Sequence, residues 1–102
     1  MKCNSWEIWL ANVKLEDIDE YKKRPILILD AGIKIAIALK MTSHKPRKNE
    51  YVLMDWEAAG LKKETTVRIS KYLQIVESDL CYKIGNISPL DKLELQRILP
   101  ED

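Results

Sequence analysis

Residues 22–48, KKRPILILDAGIKIAIALKMTSHKPRK, constrain the fold more than any other part of the chain. Two apolar runs flank Asp30-Ala31-Gly32, and two such runs joined by a tight turn predict a β-hairpin. The first run, 26–29, is apolar at every position, as in a strand covered on both faces. Pro25 cannot donate to a strand ladder, so it belongs at the start of its strand or near an edge. The second run, 33–41, alternates strictly. Ile33, Ile35, Ile37, Leu39 and Met41 share one face and are the predicted core. Lys34, Ala36, Ala38, Lys40 and Thr42 share the other, where two alanines would let another surface approach closely. A hairpin brings its outer ends together, which sets Arg24 towards Thr42. Positive charge gathers at that same end, in Lys22, Lys23 and Arg24 and again in Lys45, Arg47 and Lys48.

The remaining chain reads as further strands and one helix. Residues 6–13, WEIWLANV, are rich in aromatic and branched side chains, as strands are. Residues 14–23 are polar and acidic, with Glu16, Asp17, Asp19 and Glu20, and read as a loop. Residues 51–55 and 65–70 are β-prone, and 72–76 extend or follow the latter. Gly60 has the look of a helix or turn terminator. Residues 78–86 fit neither period well. Ser88-Pro89-Leu90-Asp91 combines a capping hydroxyl, proline at the first helical position and an acid three residues on. Leu90, Leu93, Leu95, Ile98 and Leu99 then form an apolar stripe that Pro100 closes. The prediction is one domain over 1–102, mainly β, with a C-terminal amphipathic helix on a curved antiparallel sheet.

Composition narrows the function classes. With 46% hydrophobic and 32% charged residues, the chain is globular and not disordered. A net charge of +1 means that any attraction to nucleic acid must come from local clustering. Cys3 and Cys81 lack metal-ligand spacing and are expected to be reduced thiols. The N-terminal stretch has one lysine and no apolar core, and no run approaches the ~20 apolar residues that span a bilayer. The expectation is a soluble, cytoplasmic protein with no membrane partner. Three glycines make no phosphate loop. One histidine and scattered acids suggest neither a metal site nor a cofactor site.

What remains is a cationic, hydroxyl-bearing group of residues. Arg24 offers a planar fork that binds phosphate bidentately, or it is a solvated strand-end arginine. Thr42 and Ser43 can donate to a phosphoryl oxygen, or simply end a strand. His44 lies two residues beyond Thr42 and is the one side chain here whose ordinary titration range spans neutrality. Arg68 alternates with Val67 and Ile69, so it faces a groove or water.

The order of these segments resembles the MazF/PemK toxins of type II toxin–antitoxin systems. The similarity is carried by Glu7-Ile8-Trp9-Leu10 and by Lys23-Arg24-Pro25 before the aliphatic strand. Met41-Thr42-Ser43, Gly60-Leu61 with Thr66-Val67-Arg68, and Lys83-Ile84-Gly85 leading into the capped helix complete it. Three departures stand out. Trp6 occupies a position where the family has glycine, the loop before Arg24 is acidic, and Ser70 stands where some relatives have an acid two positions after the arginine matched by Arg68.

The resemblance implies an SH3-like small barrel of the MazF/CcdB kind, assembled as a homodimer. It implies a metal-independent, cofactor-free endoribonuclease that cuts single-stranded RNA at short sequences. The family's catalytic pair falls on Arg24 and Thr42. Lys23, Ser43, His44, Lys45, Arg47 and Arg68 are the expected substrate-binding residues. A cognate antitoxin is the implied protein partner, its disordered tail folding across the groove. The rival expectation is a non-catalytic binding module on the same fold, either a gyrase inhibitor of the CcdB type or a degenerate regulator.

Overall fold

The structure, a computed structural model, describes residues 1–14, 18–43 and 48–100. The strands are β1 (Glu7–Lys14), β2 (Tyr21–Ala31), β3 (Ile35–Thr42), β4 (Glu50–Val52), β5 (Thr66–Val76) and β6 (Leu80–Asn86), followed by helix α1 (Pro89–Ile98). They form one antiparallel sheet in the order β4-β5-β3-β2-β1-β6. The expected twisted antiparallel sheet with a C-terminal helix is therefore what the chain adopts.

The predicted β2–β3 hairpin forms, with its turn slightly later than expected. Gly32 N donates to Ile35 O at 3.0 Å, so Ile33 lies in the turn and not in a strand. A bulge at Leu29 separates the pairs Ile28↔Ala38 and Asp30↔Ile37. These two features reverse part of the expected face assignment. Ile33 and Ile35 are 90% and 46% exposed, whereas Ala36 and Ala38 are completely buried. Both faces of the sheet are covered, so the alanine face is also core. There the small side chains leave room for Trp9, Val13, Ile26 and Leu80. The second core, on the other face, gathers Ile8, Leu27, Leu39, Met41, Val67 and the helix residue Leu95.

Two cores on one small sheet require the sheet to coil. Its edge strands are β4 and β6, yet Ala59 and Gly60, which follow β4, press against Ile84 and Gly85 of β6. A Cβ on Gly85 would collide with Ala59 O, and one on Gly60 would lie 2.6 Å from Ile84 O. Gly60 also holds φ +92, which side-chain-bearing residues rarely adopt. Since the colliding atom is backbone, Gly85→Ala is expected to cost about 1–3 kcal/mol through overpacking. An unchanged urea midpoint would contradict this close approach.

Elsewhere the elements depart from expectation in ways that packing explains. Residues 21–23 are strand and not loop, because β1 extends to pair Lys14 with Tyr21. Of the segment at 51–55 only Tyr51 and Val52 are strand, in the three-residue β4, and residues 66–76 form one long strand. Residues 78–86, which fit neither period, become the end of a 3₁₀ turn and β6. Glu16 and Asp17 of the acidic stretch lie outside the described residues. The helix starts as predicted, with the Ser88 hydroxyl accepting from Asp91 N at 3.1 Å. Its apolar stripe is only partly used: Leu95 is buried, while Leu90, Leu93 and Ile98 are about half exposed.

Trp6 adopts φ 69, the left-handed region. This is the position where the resembled family carries glycine, and an L-residue there costs roughly 1–2 kcal/mol. The surroundings hold it: Trp6 N donates to Ile28 O at 2.6 Å, and its carbonyl accepts from Ile87 N at 3.1 Å. Its ring packs on the helix-side core with the Lys92 ammonium 5.6 Å away.

Candidate functional site

The open end of the β2–β3 hairpin forms one wall of a cleft of about 700 Å³. Pairing between these strands runs as far as Ile26↔Lys40. Continued by two places, that register sets Arg24 opposite Thr42. Both line the cleft, with Lys23, Ser43, Pro25 and Met41. Arg24 is exposed, and its Nη1 donates to Lys23 O at 3.2 Å. Thr42 is half-buried where β3 ends against β5, paired with Thr66.

The far wall comes from residues distant in sequence. The segment after Gly60 contributes Leu61, Lys62, Lys63 and Thr65, and β6 contributes Tyr82, Lys83 and Ile84. Sequence reasoning missed these residues as site components. The basic pair Lys62-Lys63 beside Gly60-Leu61 was a usable signal for part of the wall. Nothing local marked Tyr82.

The charge of the lining is one-sided. It includes Lys23, Arg24, Lys62, Lys63 and Lys83, and no aspartate or glutamate among the described residues. The chain as a whole has 17 basic and 16 acidic residues, so this is segregation and not bulk composition. Fixed cations over a partly apolar floor attract an anion more strongly than the same charges in open water.

Lys83 is held in place. Its ammonium pairs with Glu7 at 3.0 Å, and Glu7 is almost fully buried. Glu7 also accepts from Trp9 Nε1 at 2.9 Å and from Asn4 N at 2.8 Å. Burial alone would raise the carboxyl's pKa, but the bonds from Trp9, Asn4 and Lys83 outweigh it and bring the value down to about 2. A depressed carboxylate stabilises the fold above its unfolded pKa, and that stability is lost as pH falls through the folded value. The window here runs from about pH 4.5 down to about 2. The lowering corresponds to about 3 kcal/mol. Thermal melts at pH 7, 4 and 3 should fall steeply, and Glu7→Gln should flatten the fall; parallel curves would contradict the assignment.

Arg68 lies elsewhere. It sits opposite Glu50 on β4, and its Nε donates to Glu50 Oε2 at 3.1 Å. It does not line the cleft. The chain has Ser70 where some relatives of the resembled family carry an acid, and the carboxylate beside Arg68 comes instead from the neighbouring strand. His44, Lys45 and Arg47 lie outside the described residues. Among the described residues no group of three or more His, Cys, Asp and Glu side chains gathers as a metal site would, and no helix is long and apolar enough to cross a membrane.

No protein-family model matches the sequence, and no curated protein matches it. Solved structures do. The Mycobacterium tuberculosis toxin MazF-mt6 aligns over 89% of both chains with a TM-score of 0.71 at 20% identity. The chain has a MazF-like fold. An endoribonuclease in complex with its cognate antitoxin, from a mycobacterial species, aligns over 98% of this chain and 99% of its own, with a TM-score of 0.74 at 12% identity. A further mycobacterial endoribonuclease gives 0.72 over 98% and 95%, at 11% identity. In this MazF-like fold the cleft is formed where the coiled sheet brings the hairpin end, β6 and the segment after β4 together.

Proposed function

We propose that this chain is the toxin of a type II toxin–antitoxin pair, a metal-independent endoribonuclease that cuts single-stranded RNA at short sequences. The observation that carries the reading is the one-sided cleft: five cations and four hydroxyls on a MazF-like fold, with no carboxylate among the described lining residues. A phosphodiester suits such a lining. In the proposed reaction the ribose 2′-oxygen bonds to the adjacent phosphorus, and the bond from phosphorus to the next nucleotide's 5′-oxygen breaks. The products are a 2′,3′-cyclic phosphate and a 5′-hydroxyl. Negative charge builds on the non-bridging oxygens during this exchange, and fixed donors there lower the barrier. Arg24 and Thr42 are those donors. Lys23 and Ser43 hold the flanking backbone.

A guanidinium rarely loses its proton, so Arg24 is a poor base. His44 is our candidate for taking the 2′-hydroxyl proton, on its sequence position and ordinary pKa. Lys45 and Arg47 are assigned to electrostatic guidance, again from sequence. The active species in this reading is a cytoplasmic homodimer, expected at twice the 11.9 kDa chain mass in light scattering. Its protein partner is an antitoxin with an acidic tail, bound more weakly as salt rises.

The test is direct. Purified protein, single-stranded RNA and excess chelator should yield cyclic-phosphate ends, mapped by sequencing to a short recurring motif. Folded protein that cleaves no RNA, yet inhibits gyrase, would favour the CcdB-like alternative and sink the nuclease reading.

A further inference from the structure

We propose that Tyr82 is a stacking platform for one base of the bound RNA, beside the phosphate held at Arg24 and Thr42, and that Lys62 and Lys63 hold the neighbouring backbone phosphates. The proposal deepens the RNA-cleaving reading and rests on it for the identity of the ligand.

The placement follows from strand register. Tyr82 on β6 pairs with Leu10 on β1, and Leu10 pairs with Pro25 on β2. Directly opposed residues project to the same face. All three line the cleft, forming an apolar row that leads to the residue next to Arg24. With strands ~4.8 Å apart, the row spans about 10 Å from Tyr82 to Pro25. Leu10 and Pro25 are half-buried, but Tyr82 remains 59% exposed. An aromatic left this open, at the end of an apolar row in a cationic cleft, offers a π-face to a base.

The lysines divide into two kinds. Lys83 is tied to Glu7 at 3.0 Å. Lys62 and Lys63 are exposed and make no ion pair among the described residues. They line the same cleft as Tyr82. Stacking ring and unpaired cations together form the pattern that binds single-stranded nucleic acid, in which bases stack while the backbone is neutralised.

The experiment separates this proposal from the reading beneath it. Binding is measured with short 2′-fluoro single-stranded oligonucleotides, which lack the attacking hydroxyl. Tyr82→Ala should weaken binding by about 10- to 100-fold, and Tyr82→Phe should stay near wild type because the π-face remains. An abasic position is then walked along the best-binding oligonucleotide. At one position, removing the base should abolish the difference between wild type and Tyr82→Ala. Lys62→Ala and Lys63→Ala should each lower the slope of log Kd against log salt by about 0.7.

Equal losses at every abasic position would overturn the stacking role, as would Tyr82→Ala binding like wild type. A phenylalanine variant as weak as alanine would point to the hydroxyl and also overturn it. Tyr82-dependent binding by a protein that cleaves no RNA would leave the platform standing and defeat the nuclease reading. No binding of any oligonucleotide would defeat both.

Discussion

Arg24→Ala is expected to slow RNA cleavage by about 10³-fold or more while leaving the fold intact. Losing a single preorganised donor to a developing oxyanion costs about 10²–10³ in rate. Arg24 would supply both charge and a bidentate fork, so the larger figure is expected. Its side chain is exposed and its one described bond is to its own neighbour's carbonyl. Thermal stability should therefore not change. Arg24→Lys keeps the charge and loses the fork, and is expected to recover only a small part of the rate. Thr42→Ala should cost about 10²-fold, with Thr42→Ser close to wild type. If both groups act on one phosphate, the double variant will be no slower than about the worse single one. Full additivity would show that the two groups act independently and not on one phosphate, and cleavage by Arg24→Ala at the wild-type rate would remove Arg24 from the chemistry.

The largest stability effect is expected at Asp91. Its side chain is completely buried. It accepts from Tyr51 Oη at 2.7 Å, Met54 N at 2.9 Å, Asp55 N at 2.9 Å and Ser88 Oγ at 3.1 Å. One carboxylate thus ties the start of α1 to β4 and to the chain leaving it, across the two edges of the sheet. Asp91→Ala leaves these donors without an acceptor, and each buried unsatisfied group costs about 1–3 kcal/mol. The expected loss of about 4 kcal/mol or more would use much of a stability that is typically about 5–15 kcal/mol. Asp91→Asn keeps the volume but turns an amide towards donors, so it should be intermediate. Urea denaturation measures both, and a loss below 1 kcal/mol in the alanine variant would refute the role.

The protonation of Asp91 acts in the same direction. Burial would raise its pKa, but the bonds from Met54, Asp55, Tyr51 and Ser88 outweigh this and lower it. Its contribution is therefore present above the ordinary aspartate range and lost as pH falls through the depressed value. Tyr51 moves the other way: burial and the adjacent carboxylate hold its phenol above the ordinary range. Asp91 and Glu7 should together make the protein unfold at acid pH, with each single variant removing part of the slope.

The helix start illustrates how a correct local reading can hide a tertiary role. Ser88, Pro89 and Asp91 are recognisable as a helix start from sequence. That Asp91 also receives bonds from a segment nearly forty positions earlier is invisible there, because nothing in a capping pattern says what packs above it. The alanine face of β3 has the same lesson. Strict alternation identifies two faces, but which one is buried depends on what covers each. Here both are covered, so the small residues are buried and the large Ile33 and Ile35 at the turn are not.

By itself, the sequence determined the hairpin, the capped helix and the meeting of Arg24 with Thr42. Those follow from local register, which a turn sets within twenty residues. Only the tertiary structure decided the rest of the cleft. Tyr82 and Lys83 reach it because β6 pairs with β1 across most of the chain. Lys62 and Lys63 reach it because the sheet coils until Ala59 touches Gly85. Closure between distant segments is a property of the whole packed sheet, set by burying two cores at once, and no short stretch of residues encodes it.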